Sequence, residues 1–148
     1  MEEKSNITVS RAPDTVIQCK RAYEPWAATE GYRVLVDGLW PRGVKKEHLA
    51  PDAWLRELSP STALRKTFGH RAERFEAFRL GYRTELAAHP EYWMGLLDKA
   101  RQGTLTLLYA AKDEQLNNAR VLAEFLEEEL ERQRPGSSPV CYADQSTS

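Results

Sequence analysis

The apolar positions of this 148-residue chain follow strand spacing near its start, helix spacing through its middle, and a nearly continuous apolar run after that. Residues 15–20 and 32–39 are short and contain many β-branched side chains, which favour strands. Residues 104–110 form an almost unbroken apolar run, which is typical of a strand covered on both faces. The pattern therefore predicts three strands, and the third is expected to be buried.

The apolar spacing just after the second predicted strand is helical. Pro51 can open a short helix that carries Trp54. Ser59 followed by Pro60 is a helix-start signal, and the helix that it opens should end at Gly69. This part of the chain is therefore expected to contribute two short helices.

Three longer helices complete the pattern. The clearest is predicted over residues 71–88, where apolar residues recur three and four positions apart. Its apolar stripe consists of Phe75, Phe78, Tyr82 and Leu86. Another is opened by Pro90 and closed by Gly103, and the last is predicted over residues 114–131, with a broad apolar face.

Strands separated by helices are the order of an α/β domain. The long helical connection between the second and third strands predicts a right-handed crossover between parallel strands. The connection between the first two strands is shorter than a parallel crossover usually needs, so the pattern leaves their pairing open. We expect one folded domain over residues 15–134, a flexible arm over residues 1–14 and a disordered tail over residues 135–148.

Composition and charge exclude several classes of protein. Hydrophobic residues make up 41% and charged residues 29% of the chain, as in ordinary globular proteins. The net charge of −1 disfavours a dedicated nucleic-acid binder, and no apolar run reaches the roughly 18 residues that a membrane span needs. Cys19 and Cys141 have no metal-ligand spacing. Because no signal-peptide pattern is visible, we predict a cytoplasmic protein with no metal site and no membrane partner.

The candidate chemistry begins where the second predicted strand ends. Asp37 follows its apolar residues, and residues 40–43, WPRG, have the proline and glycine positions of a type I turn. Ligands of open α/β sheets bind at the carboxyl ends of the strands, where Asp37 should lie. Its carboxylate can orient a hydroxyl group, hold a metal ion or act as a base; alternatively, it caps the turn or pairs with Arg33 or Arg42.

If the second and third strands are parallel, the loop after the third strand faces Asp37 across the same edge. Arg42 offers a guanidinium group suited to phosphate or carboxylate, unless it is a solvated turn residue. Asp113 is predicted to lie at the start of the last helix, whose free N–H groups suit an anion, and Asn117 and Asn118 add side-chain donors. The alternative is that Asp113 only caps this helix and both asparagines face water.

Three further groups of residues could take part in catalysis or binding: a histidine, the tryptophans and several arginines. His70 stands at a corner between helices and can act as an acid or a base, or simply cap a helix. Trp40 borders the predicted site, whereas Trp54 and Trp93 have the spacing of core residues. Glutamates lie between the arginines of the clearest helix, which predicts a salt-bridged face rather than a nucleic-acid surface. These arginines are Arg71, Arg74, Arg79 and Arg83.

Three segments of the chain resemble a known family: RAYEPWAATEGYRVLVDGLWPRGVKKEHL, LSPSTALRKTFGH and LLYAAKDEQLNNARVLAEFL. They are similar to the YeaO-like branch of the DUF488 group, a bacterial and archaeal family of uncharacterised proteins, and the resemblance extends over residues 16–131. It implies a compact α/β domain with a small, mainly parallel sheet flanked by helices. The chain departs from the family at Gly38, where arginine is usual. Asn117 and Asn118 lie where the wider group often has cysteine and histidine.

The recurrent polar positions of this family match three motifs in the chain. They comprise Asp37, Trp40, Pro41, Arg42 and Gly43; Ser59, Pro60, Ser61, Arg65, Phe68, Gly69 and His70; and Ala111, Lys112, Asp113, Asn117 and Asn118. The family has no settled activity. The resemblance therefore indicates candidate site residues but no reaction.

Together, the pattern and the resemblance predict a protein that binds an anionic ligand, bearing phosphate or carboxylate, at the carboxyl edge of the sheet. Asp37 and His70 are the catalytic candidates if the protein is a hydrolase or transferase. The ligand-binding candidates are Trp40, Arg42, Lys112, Asp113, Asn117 and Asn118. The alternative is a non-enzymatic module that binds nucleic acid or another protein. The sequence assigns no cofactor and no oligomeric state.

Overall fold

The computed structural model describes residues 16–133, which contain four strands and five α-helices. The strands are β1 (Val16–Arg21), β2 (Tyr32–Leu35), β3 (Ala53–Trp54) and β4 (Thr104–Tyr109). They form a sheet in the order β1-β4-β2-β3, and each pair of neighbours is parallel. The predicted α/β fold with a parallel sheet is therefore confirmed. The predicted arm and tail, residues 1–14 and 135–148, lie outside the described residues.

The strand order answers the question that the short first connection left open. β1 and β2 do not pair with each other, because β4 lies between them and is parallel to both. Residues 105–109 of β4 are all buried. This burial agrees with the prediction that their apolar run is a strand covered on both faces.

The helices surround the sheet in the predicted order. They are α1 (Lys46–Leu49), α2 (Thr62–Phe68), α3 (Phe75–Ala88), α4 (Met94–Gln102) and α5 (Asn118–Gln133). Short 3-10 helices span Ala28–Glu30, Arg56–Leu58, Ala72–Arg74 and Pro90–Tyr92. The two helices predicted over residues 71–88 and from Pro90 onwards are therefore each observed as a 3-10 helix followed by an α-helix.

The prediction of a helix opened by Pro51 is wrong. Ala53–Trp54 pairs with β2 as an edge strand, and Arg56–Leu58 forms a 3-10 helix after it. The N–H group of Leu55 donates to the carbonyl oxygen of Leu35 at 3.0 Å. Hydrogen bonds to a strand that is distant in sequence therefore override the local helical spacing.

α2 begins two residues later than predicted. Its N-cap is Ser61, whose Oγ accepts a hydrogen bond from the N–H group of Leu64 at 3.2 Å. Ser59 instead donates its hydroxyl to the carbonyl oxygen of Arg56 at 2.9 Å, within the preceding turn. The helix ends before Gly69, as predicted.

The larger hydrophobic core fills the space between one face of the sheet and the long helices. The predicted stripe of α3 contributes Phe78, Tyr82 and Leu86, which are all buried there. Trp93 is also buried, as its spacing predicts, and its ring centroid lies 5.0 Å from that of Phe125 in α5. Each such side chain stabilises the fold by about 1.5–3 kcal/mol through burial.

The opposite face of the sheet carries a thinner layer that combines charge with apolar packing. Glu30 and Arg33 are each only 2% exposed, and Arg33 Nε donates to Glu30 Oε1 at 2.7 Å. Lys20 forms a second ion pair with Glu30, and Arg33 also donates to the carbonyl oxygen of Leu49. The apolar members of this layer are Ala22, Leu35, Leu49 and Leu108, with Trp40, Val44 and Trp54 packed against them.

α5 runs back along the sheet to the edge where the strands begin. Near its end, Gln133 Oε1 accepts a hydrogen bond from Arg101 Nη2 at 2.9 Å. Arg101 lies in the last turn of α4, just before β4 starts. Arg101 and the end of α5 therefore share the amino edge of the sheet, away from the carboxyl ends of the strands.

Candidate ligand-binding site

The carboxylate of Asp37 joins the loops that follow β2 and β4. Asp37 Oδ2 accepts a hydrogen bond from the N–H group of Ala110 at 2.8 Å, and Asp37 Oδ1 accepts one from Asn118 Nδ2 at 3.2 Å. Asn118 Nδ2 also lies 3.4 Å from the carbonyl oxygen of Val36. The two loops therefore meet at the carboxyl edge of the sheet, as the parallel arrangement predicts.

Arg21 holds the same corner from the end of β1. Its Nε donates to the carbonyl oxygen of Ala111 at 3.0 Å, and its Nη2 donates to that of Ala110 at 3.3 Å. The peptide groups after β4 are thus hydrogen-bonded both to Arg21 and to Asp37. Hydrogen bonds therefore connect the carboxyl ends of three parallel strands.

Burial raises the pKa of Asp37 above its ordinary value of 3.8. The hydrogen bonds from Ala110 and Asn118 and the positive charge of Arg65 act in the opposite direction, but their effect is smaller. Both carboxylate oxygens already accept hydrogen bonds from the protein. A ligand at Asp37 therefore has to share the remaining lone pairs with these donors.

A cavity of about 570 Å³ opens beside Asp37, and this volume is within the range of small-molecule sites. The charged side chains on its wall are those of Arg42, Arg65 and Asp37, so positive charge exceeds negative charge. Phe68 and Phe78 are among the residues of its apolar part. The cavity therefore combines an apolar surface with groups that attract an anion.

The turn that carries Arg42 begins one residue later than predicted. The N–H group of Val44 donates to the carbonyl oxygen of Pro41 at 3.3 Å, so the turn spans residues 41–44. Gly43 occupies its third position with a φ of +80°, which suits glycine in a type II turn rather than the predicted type I. Arg42 precedes this glycine and is exposed on the cavity wall.

Trp40 lines the cavity with a half-buried side chain. Its Nε1 donates to the carbonyl oxygen of Val44 at 2.6 Å, and its ring meets that of Trp54 edge-on, with 5.4 Å between centroids. Trp54 in turn donates its Nε1 to the carbonyl oxygen of Asp37 at 2.8 Å. The two tryptophans therefore fix the backbone of the loop that carries Asp37.

α5 begins at Asn118, four residues after the predicted start. Asn117 caps it, because Asn117 Oδ1 accepts a hydrogen bond from the N–H group of Arg120 at 2.9 Å. Both asparagines line the cavity. Asn117 is only 2% exposed and Asn118 is half-buried, so the alternative in which they face water does not apply.

Lys112 and Asp113 are exposed in the turn before α5 and lie outside the cavity wall. Asp113 Oδ1 accepts hydrogen bonds from the N–H groups of Leu116 at 3.0 Å and Gln115 at 2.9 Å, and these bonds lower the pKa of Asp113. Asp113 therefore caps a separate turn. The prediction that it lies at the start of α5 is wrong, and so is the alternative that it caps this helix. The predicted ligand-binding residues that reach the cavity are Trp40, Arg42, Asn117 and Asn118.

His70 lies on the cavity wall in a left-handed backbone conformation. Its φ is +59°, and it follows Gly69, whose φ is +54°. Its imidazole ring is exposed and lies 5.8 Å, between centroids, from the ring of Phe68. Both catalytic candidates, Asp37 and His70, therefore line the same cavity.

Arg65 and Ser59 line the cavity but were not among the predicted site residues. Arg65 lies in α2, three residues before the buried Phe68. Both Arg65 and Ser59 belong to the second motif that the chain shares with the family, so this motif was the available signal. The sequence did not show that α2 packs beside the carboxyl edge, and only that placement brings Arg65 to Asp37.

Gly38, the departure from the family pattern, also lines the cavity. A Cβ atom at this position would lie 3.0 Å from Ser59 Oγ, which is tighter than an ordinary contact. Any side chain here, including arginine, would therefore require the Ser59 hydroxyl to shift by a few tenths of an ångström. Glycine leaves this part of the cavity open.

Other potential chemistry in residues 16–133 is limited. Burial raises the pKa of Cys19 to about 11, so its thiol is protonated at neutral pH, and its side chain packs against the larger core. Within this range, no three histidine, cysteine or acidic side chains come together in a way that could hold a metal ion. None of the helices in the described part of the chain has the length and apolar character to cross a membrane.

Comparison with known proteins identifies the family of this chain. Residues 16–143 match the family model described as the inactive DUF488-N3 subclade. The chain is 50% identical over 110 residues to the uncharacterized protein YeaO of Escherichia coli K12. The aligned region covers 74% of this chain and 96% of YeaO. It is 32% identical over 114 residues to the uncharacterized protein Rv3073c of Mycobacterium tuberculosis H37Rv. This aligned region covers 76% of the chain and 95% of Rv3073c. No solved structure matches the chain.

The parallel sheet, with its loops joined at Asp37, is thus the fold of a DUF488 protein. The chain belongs to this family, and its identity with YeaO over nearly the whole of that protein places it in the YeaO-like branch. The resemblance seen in the sequence is confirmed.

Proposed function

We propose that this protein is a cytoplasmic binding protein that holds a small organic anion in the cavity beside Asp37 and catalyses no reaction on it. The observation that carries the proposal is the charge of the cavity wall: Arg42 and Arg65 face a cavity whose carboxylate is already hydrogen-bonded at both oxygens. Guanidinium groups suit phosphate and carboxylate groups because they present several donors in one plane.

The rest of the wall favours an organic ligand over an inorganic ion. Trp40, Phe68, Phe78 and Leu116 contribute apolar surface to the cavity. This surface gains free energy when it contacts a carbon skeleton instead of water. A phosphate ester or a carboxylic acid with an apolar or planar body would satisfy both parts of the cavity.

The start of α5 contributes less to this anion site than the sequence pattern implies. Asn117 uses its side-chain oxygen to cap the helix, and Asn118 donates its amide to Asp37. The carboxylate of Asp37 therefore already places negative charge near the positive end of the helix dipole. The two arginines remain as the groups that give the cavity its positive charge.

Two observations support binding without catalysis. Asp37 accepts hydrogen bonds from Ala110 and Asn118, which gives its carboxylate a structural role in joining the loops. The family model that matches the chain is described as inactive. His70 then serves as a polar residue of the wall. A hydrolase or transferase would instead use Asp37 and His70 as base and acid, and would consume the ligand.

Thermal unfolding with a panel of phosphate- and carboxylate-bearing metabolites tests the proposal. At least one compound should raise the Tm, because a ligand that binds the folded state stabilises it. Replacing Arg42 or Arg65 by alanine should weaken the binding of that compound by about tenfold, since a charge-assisted hydrogen bond is lost. Arg101→Ala is the matched control, because Arg101 lies at the amino edge of the sheet.

Equal binding by all three variants, or the absence of any stabilising compound, would overturn the proposal. Incubation of the bound compound with the protein, followed by NMR, tests the non-catalytic part. A product that forms with the wild type but not with Asp37→Asn would show that this part is wrong. Oligonucleotide binding that weakens steeply with salt would instead favour the nucleic-acid alternative.

A further inference from the structure

A second cavity, of about 580 Å³, opens on the other side of Tyr23. Two segments form its walls: the loop that follows β1, residues 22–26, and the turn and helix over residues 43–48. Tyr23 also lines the cavity beside Asp37, called the anion cavity below, so the two cavities share one wall. The second cavity is also of a size that holds a small molecule.

The aromatic side chains of this cavity are unusually accessible. Trp26 is 60% exposed and Tyr23 is 45% exposed. Trp40, Trp54 and Trp93 all have ring partners, whereas Trp26 has no ring contact within residues 16–133. The indole ring of Trp26 therefore presents an exposed aromatic face beside the cavity.

Each wall of the cavity also contributes a carboxylate. Glu24 comes from the loop after β1, and Glu47 comes from α1. Neither side chain forms an ion pair or hydrogen bond with any of the described residues, in contrast to the buried Glu30, which pairs with Lys20 and Arg33. Within residues 16–133, these two carboxylates of the cavity therefore have no paired cation.

Arg21 already makes a cation–π contact with an aromatic ring on the wall of this cavity. The guanidinium group of Arg21 lies 4.9 Å from the centroid of the Tyr23 ring while it donates hydrogen bonds to Ala110 and Ala111. Its charge offsets part of the negative charge from the two glutamates. The Tyr23 ring is thus partly occupied, whereas the ring of Trp26 is available to a second cation.

We propose that this second cavity binds an organic cation, an alkylammonium group that lies against the Trp26 ring between Glu24 and Glu47. Tryptophan is the aromatic residue that attracts cations most strongly, and nearby carboxylates add to that attraction. The site has the opposite charge preference to the anion cavity. The proposal for this second cavity does not depend on the function proposed for the anion cavity.

Titration of ¹⁵N-labelled protein with tetramethylammonium chloride tests the proposal. The indole N–H signal of Trp26 and the amide signal of Gly43 should shift and saturate, whereas sodium chloride at the same ionic strength and neutral tert-butanol should not shift them. Trp26→Ala should weaken binding by about two- to fivefold, the size of an exposed cation–π contact. Glu47→Gln should also weaken it, and Glu91→Gln, at a carboxylate outside this cavity, should not.

Equal shifts with sodium chloride or tert-butanol would overturn the proposal, as would unchanged binding by both Trp26→Ala and Glu47→Gln. Because Trp26 is largely exposed, its replacement should leave the fold intact, which the remaining amide signals report. Choline and N-acetyl-lysine amide then identify the source of the cation. Tighter binding of choline indicates a free small amine, and tighter binding of the lysine derivative indicates a side chain of another protein.

Discussion

Asp37 connects residues that are far apart in the chain through a single carboxylate. Its hydrogen-bond partners lie 73 residues away at Ala110 and 81 residues away at Asn118. Its carbonyl oxygen also accepts the indole N–H group of Trp54. The shape of the cavity beside Asp37 therefore depends on this residue even if it never contacts a ligand.

Asp37→Asn should destabilise the protein. The amide can keep one acceptor, but its NH₂ group then faces a donor, either the N–H group of Ala110 or the amide of Asn118. We expect a loss of about 1–3 kcal/mol in the free energy of unfolding, measured by urea denaturation, because a buried donor is left without a partner. Asp113→Asn is the control: that residue is exposed, and asparagine can still cap its turn, so the loss should stay within about 0.5 kcal/mol.

The pH dependence of the unfolding free energy, compared between the wild type and Asp37→Asn, tests the raised pKa of Asp37. Because the folded-state pKa lies above the ordinary value of 3.8, the folded protein holds a proton in a range just above that value where the unfolded chain has lost it. The stability contributed by Asp37 therefore falls as pH rises through this range. The difference in unfolding free energy between wild type and Asp37→Asn should shrink as pH rises. A difference that grows would mean that hydrogen bonds outweigh burial.

At the scale of the elements, the start of α5 shows where the sequence does not decide between two caps. Asp113 and Asn117 are both good N-cap residues. Asp113 forms hydrogen bonds with the two N–H groups just after it, and the chain then turns before Asn117 caps the helix. Local turns compete with helix starts by using the same bonds. For this reason the presence of α5 was predictable but its first residue was not.

The edge strand β3 was not predictable for a different reason. It has only the two residues Ala53–Trp54, which is too short to show an alternating pattern. Its conformation is set by hydrogen bonds to β2 from residues such as Leu55. The long strands and the stripe of α3 were predictable because many residues repeat one period.

The arginines of α3 pair with glutamates, as predicted, but their closest partners lie on α5. Arg79 Nη2 and Arg83 Nη1 each lie 2.6 Å from Glu124 Oε2. Arg83 also pairs with Glu128, and Arg79 pairs with Glu76 on its own helix. Spacing within α3 shows only the pairs on that helix. The pairs that join α3 to α5 depend on how the two helices pack.

Glu124→Gln should therefore cost more stability than Glu76→Gln. Glu124 holds two arginines across the helix interface, and we expect its replacement to cost about 0.5–1 kcal/mol in unfolding free energy. Glu76 is largely exposed and has one partner on the same helix, so its replacement should cost at most about 0.5 kcal/mol. The measurement is urea denaturation, and the cost of Glu124→Gln should fall in 1 M NaCl. Equal costs would show that the network does not join the helices.

Across the whole molecule, the two faces of the sheet are held in different ways. The helical face has a continuous hydrophobic core, whereas the other face has a few apolar residues around buried charge. Glu30 is central to that second layer. It pairs with Lys20 and Arg33, and its carbonyl oxygen accepts the hydroxyl of Thr106 in β4 at 2.6 Å.

Glu30→Gln should therefore destabilise the whole domain. Replacing one partner leaves the buried charge of Arg33 without full compensation, and breaking a buried ion pair typically costs about 3–5 kcal/mol. Urea denaturation of Glu30→Gln and of the exposed control Glu57→Gln measures this cost. The double variant Glu30→Gln with Arg33→Met should recover part of the loss. A cost below about 1 kcal/mol, similar to that of a surface change, would contradict the structural role of the pair.

The overall topology was predictable only in part. The long helical connection between Leu35 and Thr104 fixed the parallel direction of β2 and β4 through the handedness of crossovers. The short connection after Arg21 did not reveal that β1 and β2 are separated by another strand. Strand order depends on which contacts across the sheet are most favourable, and no local pattern records that choice.

β4 occupies the centre of the sheet although the ribosome adds it after the other three strands. While the nascent chain ends before Thr104, β1 has no neighbour to pair with, and β2 has only the two residues of β3. Co-translational folding therefore cannot proceed strand by strand from the amino terminus. The native pairing of β1 and the longer pairing of β2 therefore become possible only after translation has passed Tyr109.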